Sequence, residues 1–165
     1  MSGISNASEN LGQLKFRSAT NDDRERVEEL VFGVLAEFDL QPDPEATDAD
    51  LRDIEANYLN RGGVFDVIEH EDGKLVGTFG LYPLDENTCE LRKMYLIPSA
   101  RGQGLGKRIL REAVERAKER GFKQIALETS SKLVAAIQLY RQFGFQPIQI
   151  MHVTPRADQS YGLKL

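Results

Sequence analysis

The run Arg101, Gly102, Gln103, Gly104, Leu105, Gly106 follows an apolar stretch at 91–97 and leads into an amphipathic segment that opens at Leu105. Three glycines at alternate positions between a strand and a helix allow successive main-chain N–H groups to converge where the helix dipole already places about half a positive charge. Such a loop is built to cradle an anion, and a pyrophosphate suits it. Spacing narrows the choice. A Walker A loop needs glycine where Arg101 stands and a hydroxyl where Arg108 stands. A dinucleotide fingerprint needs its third glycine at Lys107 or at Ile109. Neither pattern is met. A glycine-rich turn without a ligand is the plain alternative, which the flanking segments have to weigh.

Those flanks read as alternating elements. Residues 14–19 form a short β-prone run, and Thr20 with Asn21, Asp22 and Asp23 supplies capping and acidic first-turn side chains. Val27, Leu30, Val31, Val34, Leu35 and Phe38 then recur at helical spacing until Pro42 and Pro44 break the pattern. A second, weaker helix is expected over 47–59, ended by Arg61, Gly62 and Gly63. Runs 64–68 and 75–81 read as strands of a hairpin turning at Asp72-Gly73, followed by a third strand at 88–97. Helical spacing returns with Leu105, Ile109, Leu110, Ala113, Val114 and Ala117, and Gly121 stops it. A strand at 124–129, a helix at 131–143 halted by Gly144, and strands at 145–153 and 160–165 complete the reading. The order predicts an α/β fold: a mixed sheet covered by helices on both sides.

Composition excludes several classes. The chain has 165 residues, enough for one domain with a single core, and a formal net charge of −5 without a basic run, which disfavours nucleic acid as a partner. Cys89 is the one cysteine, so no intrachain disulfide can form and no thiolate metal cluster is available. His70 and His152 lack ligand spacing, and no metal is expected. No segment approaches the roughly 18 apolar residues of a membrane span. A cytoplasmic protein with a flexible N-terminal tail at 1–13 is the expectation.

Arg101, Gly104 and Gly106 stand in the RxxGxG register, and the segment resembles the acetyl-CoA loop of GCN5-related N-acetyltransferases (the GNAT family). Glu90 to Pro98, reading ELRKMYLIP, is similar to that family's fourth strand. Leu139-Tyr140-Arg141-Gln142-Phe143-Gly144-Phe145 is similar to its fourth helix and the Gly-Phe turn after it. The resemblance spans about 14–165 and implies an N-acetyltransferase domain there, with a single mostly antiparallel mixed sheet, the acyl-CoA N-acyltransferase fold. One departure is Leu133, where many members carry an asparagine that contacts the cofactor.

The resemblance also implies site roles. Acetyl-CoA is the acyl donor, held by Met94, Tyr95, Leu96, Arg101, Gly102, Gln103, Gly104, Leu105, Gly106 and Lys107, with Lys107 and Arg108 candidates for the 3′-phosphate. A bulge near Met94 and Leu96 would leave strand N–H groups for the thioester carbonyl. Transfer to an amine needs a base and an acid. Glu90 is the candidate base, with a salt-bridged strand glutamate as its alternative. Tyr140 is the candidate acid for the departing thiolate, a transfer uphill by roughly 2 kcal/mol from a phenol near pKa 10 to a thiol near 8.5. Glu128 and Thr129 are weaker candidates for lining the site. The acceptor is expected to be a small-molecule primary amine. Glu37, Asp39, Asp43, Glu45, Asp48 and Asp50, which crowd the connection at 37–53, would either suit a cationic acceptor or form a solvated acidic loop. A homodimer is a possible assembly. The rival reading is a non-catalytic acetyl-CoA-binding sensor or assembly module.

Overall fold

The computed structural model describes residues 13–149 and 154–165. Among these residues seven strands form one sheet in the order β1-β2-β3-β4-β5-β7-β6. They are β1 (Leu14–Ser18), β2 (Val64–His70), β3 (Leu75–Pro83), β4 (Thr88–Leu96), β5 (Gln124–Thr129), β6 (Gln146–Pro147) and β7 (Gln159–Lys164). Four α-helices accompany them among the described residues: α1 (Arg24–Glu37), α2 (Ile54–Asn57), α3 (Leu105–Glu119) and α4 (Val134–Phe143). Every neighbouring pair of strands is antiparallel except β4 and β5, which run parallel.

Each face of the sheet carries its own core. Val27, Val31 and Leu35 of α1 pack with Leu51, Ile54, Tyr58 and Phe65 on one face. Leu105, Ile109, Leu110 and Ala113 of α3 pack with Val64, Ile68, Phe79 and Ile125 on the other. Strand β2 is buried on both faces over its first five residues, which is why its sequence runs apolar rather than alternating. Thr20 forms the expected reciprocal cap: its hydroxyl accepts from the Asp22 N–H at 3.3 Å while Asp23 Oδ2 accepts from the Thr20 N–H at 2.9 Å. Gly73, at φ 90°, makes the hairpin turn.

Three expectations are corrected. The helix at 47–59 is instead a 3₁₀ turn (Ala49–Arg52), the single turn α2 and another 3₁₀ turn (Leu59–Arg61). The chain restarts at Asp53, whose carboxylate caps Ala56, because Asp48 and Asp50 are drawn into long-range ion pairs rather than a helix surface. Helix α4 begins at Val134 and not at 131, since the Ser131 N–H and hydroxyl both bond Asp158. Of the strand expected at 145–153, Gln146–Pro147 is present; 150–153 and the tail expected at 1–13, apart from Gln13, lie outside the described residues.

Candidate active site

Parallel pairing between β4 and β5 covers three registers, Thr88 with Gln124, Cys89 with Ile125 and Glu90 with Ala126, and then stops. Beyond Glu90 the two strands diverge, and a cavity of about 530 Å³ occupies the gap. That volume is in the range of small-molecule sites. Its wall combines Leu91 to Leu96 of β4, Glu128 to Ser130 at the end of β5, the start of α4, Tyr140, and Gly102 and Gly106 of the glycine loop.

Strand β4 is bulged within this wall. The register with β3 slips between Thr78 and Gly80, and Lys93 sits at φ 54°, a left-handed conformation that side chains other than glycine rarely adopt. The extra residue changes which face each side chain takes. Leu91, Met94 and Leu96 join the α3 core, while Tyr95 packs on the α1 side, where Arg92 lies 3.8 Å over the Tyr82 ring and Lys93 meets acidic partners. Unbroken alternation would have put Lys93 with Leu91. The Thr78 hydroxyl donates to the Lys93 carbonyl at 2.7 Å, satisfying the group that the bulge turns out of the ladder. Below the bulge, the Ile97 N–H donates to the Val76 carbonyl. The alternation of an antiparallel ladder therefore turns the Leu96 N–H away from β3, toward the gap.

The glycine loop delivers the α3 N-terminus to the same cavity. Gly102 and Gly104 have φ 77° and 80°, and Gly104 is the residue preceding α3. Among the described residues no acceptor is paired with the N–H of Gly102, Gln103, Gly104, Leu105, Gly106 or Lys107. Helix starts ordinarily leave such donors exposed, and here six successive residues around two left-handed glycines carry them. Gly106 is close enough to α4 that a Cβ there would stand 3.3 Å from Leu139 Cδ2.

Side chains of the loop are less uniformly directed at the gap. Arg101 is engaged elsewhere: its Nε and Nη2 donate to the Leu96 carbonyl at 3.1 and 2.8 Å, and its Nη1 and Nη2 donate to Glu37 at 2.5 and 2.9 Å. This holds the loop against the end of α1, and the Arg101 guanidinium keeps the Glu37 carboxyl below its usual range. Gln103 donates to the Ser99 carbonyl, Leu105 is buried in the core, and Lys107 is exposed. Arg108 lies 4.7 Å over the Phe16 ring.

Both candidate proton carriers border the cavity. Tyr140 is 6% exposed, its ring 5.7 Å from that of Phe145, and among the described residues its hydroxyl has no hydrogen-bond partner. Burial pushes its phenol well above the usual range. Glu90 is also buried, and Arg92 donates to its two oxygens at 2.8 and 3.5 Å. Glu128 and Thr129 stand on the cavity wall, as does Leu133, which precedes α4 and packs on the α1-side core.

The acidic connection after α1 divides in two: Glu37, Asp39 and Glu45 are exposed, as in a solvated loop, whereas Asp48 and Asp50 are buried, at 1% and 9% exposure. Arg156 donates to both oxygens of Asp48 at 2.6 and 2.8 Å, Lys93 Nζ lies 3.2 Å from each aspartate, and the Tyr58 hydroxyl donates to Asp50. Burial alone would raise the Asp48 carboxyl, but Arg156, the Asp43 N–H and Lys93 outweigh it and hold it at about 2. Glu45 pairs with Arg52, and Asp43 caps Thr47. Sequence reading missed Arg92, Lys93 and Arg156 as wall residues. Their only signal was a surplus of carboxylates needing cations from far along the chain. Among the described residues no group of three His, Cys, Asp or Glu side chains is placed to hold a metal; His152 lies outside them. No helix among them is long and apolar enough to cross a membrane.

Known proteins resemble this chain in sequence and share its fold. Residues 29–145 match the model of the acetyltransferase (GNAT) family. Over 137 residues the chain is 39% identical to the uncharacterized N-acetyltransferase YjgM of Escherichia coli (strain K12), covering 80% of this chain and 81% of that protein. A GNAT-family acetyltransferase from Staphylococcus aureus Mu50 superposes with a TM-score of 0.86 at 27% identity, covering 92% of this chain and 98% of the other. A predicted acetyltransferase from Clostridium acetobutylicum, solved with acetyl-CoA, shares the fold at a TM-score of 0.71 and 20% identity, covering 86% of this chain and 96% of the other.

Proposed function

The chain belongs to the acetyltransferase (GNAT) family, and from that premise we propose that it moves the acetyl group of acetyl-CoA to a primary amine of a small-molecule acceptor by direct transfer. The observation that carries the reading is the array of six N–H donors from Gly102 to Lys107, which has no acceptor among the described residues and borders the cavity that Tyr140 also lines. A pyrophosphate is an anion that suits so many successive donors beside a helix start. Acetyl-CoA would supply an acetyl group already activated as a thioester.

The chain's own residues divide the remaining work. In this reading the loop amides of 102–107 take the diphosphate, while Arg101 acts through its grip on Leu96 and Glu37. The Leu96 N–H and its neighbours on the bulged edge of β4, Met94 and Tyr95, line the place of the pantetheine and thioester, and Lys107 offers its charge from the exposed first turn of α3. Tyr140 would give its hydroxyl proton to the sulfur as the acceptor nitrogen displaces it from the carbonyl carbon, and would regain a proton from that nitrogen as the amide forms. Burial raises the phenol, which keeps it protonated and so able to donate. Glu90 receives the acceptor's ammonium proton, and that proton weakens the pair with Arg92, tying protonation to movement of the guanidinium. A cytoplasmic location belongs to the same proposal.

The test has two parts. Calorimetric titration with acetyl-CoA should give saturable heat, and a thiol-release assay with spermidine, L-methionine and 2-phenylethylamine should show CoA formed above the hydrolysis background with one of them. Binding without release across a broader amine panel would favour the sensor or assembly module. One observation favours that rival: Glu90 is committed to Arg92. Absence of binding would remove both readings.

A further inference from the structure

We propose that Lys93 is a positioning residue that sets the acceptor side of the cavity independently of the acetyl-CoA cradle, an inference that rests on the acetyltransferase reading above. Position 93 carries two burdens. Its backbone is left-handed at φ 54°, and its side chain is buried at 5% exposure. If shaping the bulge were the whole role, glycine or asparagine would fill it with less strain. The lysine is explained by what its ammonium reaches: it donates to the Thr47 carbonyl at 3.3 Å and forms ion pairs with Asp48 and Asp50 at 3.2 Å each.

These contacts join three segments that are remote in sequence. Asp48 accepts from the Asp43 N–H at 2.8 Å, fixing the connection after α1, and is clamped by Arg156 from the segment before β7. Thr47, Lys93 and Arg156 all line the cavity. The ammonium therefore sets the distance between the bulged edge of β4 and the two segments facing it, whereas the donor array at 102–107 has its own scaffold in Arg101, Glu37 and α3. Displacing a substrate wall by about 1 Å can cost about a hundredfold in rate, without any change at the reacting atoms.

The decisive variant is Lys93→Gly, which keeps the left-handed bulge free of strain and deletes the ammonium. The KM of the fastest amine among spermidine, L-methionine and 2-phenylethylamine should rise about tenfold or more. The acetyl-CoA Kd by calorimetry should stay within about twofold of the unaltered protein. Amide hydrogen exchange should accelerate at 43–50 and 154–158 and not at 101–107. Unchanged KM and exchange would overturn the proposal, as would a parallel loss of acetyl-CoA binding, which would mean general destabilisation. Should Lys93→Gly fail to fold, Lys93→Met combined with Asp50→Asn removes one charge of each sign and should show the same split; unaltered KM in that protein would equally refute it. If the unaltered protein neither binds acetyl-CoA nor releases thiol, the function reading fails, and the exchange pattern alone still decides whether Lys93 holds the two segments.

Discussion

Replacing Tyr140 by phenylalanine separates chemistry from packing, because the structure assigns the hydroxyl no structural partner. The ring itself is buried against Phe145, so Tyr140→Ala would open a cavity and cost about 3–5 kcal/mol, confounding any kinetic result. Tyr140→Phe keeps the ring. Deleting a hydroxyl that donates a bond ordinarily costs about 1 kcal/mol, but among the described residues this hydroxyl makes none, so stability should change by less than about 0.5 kcal/mol. The donor array at 102–107 is untouched, and acetyl-CoA affinity should hold. If the phenol is the acid for the thiolate, its loss removes a contribution of about 10²–10⁴ in kcat, equal to about 3–5 kcal/mol of barrier. Because burial raises the phenol, it stays protonated through neutral pH and past pH 10, so no alkaline fall in kcat below about pH 10 should trace to it. The assay is steady-state thiol release beside urea unfolding and acetyl-CoA calorimetry on the same preparation. An unchanged kcat refutes the acid role; a large loss of stability refutes the claim that the hydroxyl is structurally idle.

Gly104→Ala puts a Cβ at φ 80°, in open space, so the penalty is backbone strain of about 1–2 kcal/mol, and the turned amides should weaken acetyl-CoA about tenfold by calorimetry. An unaltered Kd would show that the loop is not the cradle. Acid should unfold the protein in a defined window. The carboxyls of Asp48 and Asp23 are held at about 2 in the fold against an ordinary 3.8, so each adds about 2 kcal/mol that is present above about pH 4 and lost as pH falls through about 2. Asp66, raised by burial more than Arg116 lowers it, works in the opposite sense and offsets part of this. A urea midpoint that stays flat between about pH 5 and pH 2 would count against those pairs. Cys89 is buried and its thiol is pushed up to about 12, so a disulfide reagent should leave the native protein untouched and titrate one thiol per chain once it unfolds.

What could be read from the sequence is local. Thr20 and Asp23 capped the chain where their spacing said they would, Gly73 turned the hairpin, α3 began at Leu105, and the left-handed glycines of the loop lie where alternate glycines placed them. Each of these depends on the conformational limits of a few adjacent residues, so a short window of sequence carries it. Tertiary structure decided the rest of the site. No local signal marks Lys93 as left-handed, since lysine has no preference for that conformation; the bulge persists where Thr78 satisfies its carbonyl and Asp48 and Asp50 hold its ammonium. Arg101 stands next to the glycines in sequence, yet its guanidinium goes to Glu37, 64 residues away. The same holds for Asp48 of the acidic connection, which is paired with Arg156 across 108 residues. A buried charge must find its partner wherever the fold brings one close, and that pairing is a property of three-dimensional proximity rather than of spacing along the chain.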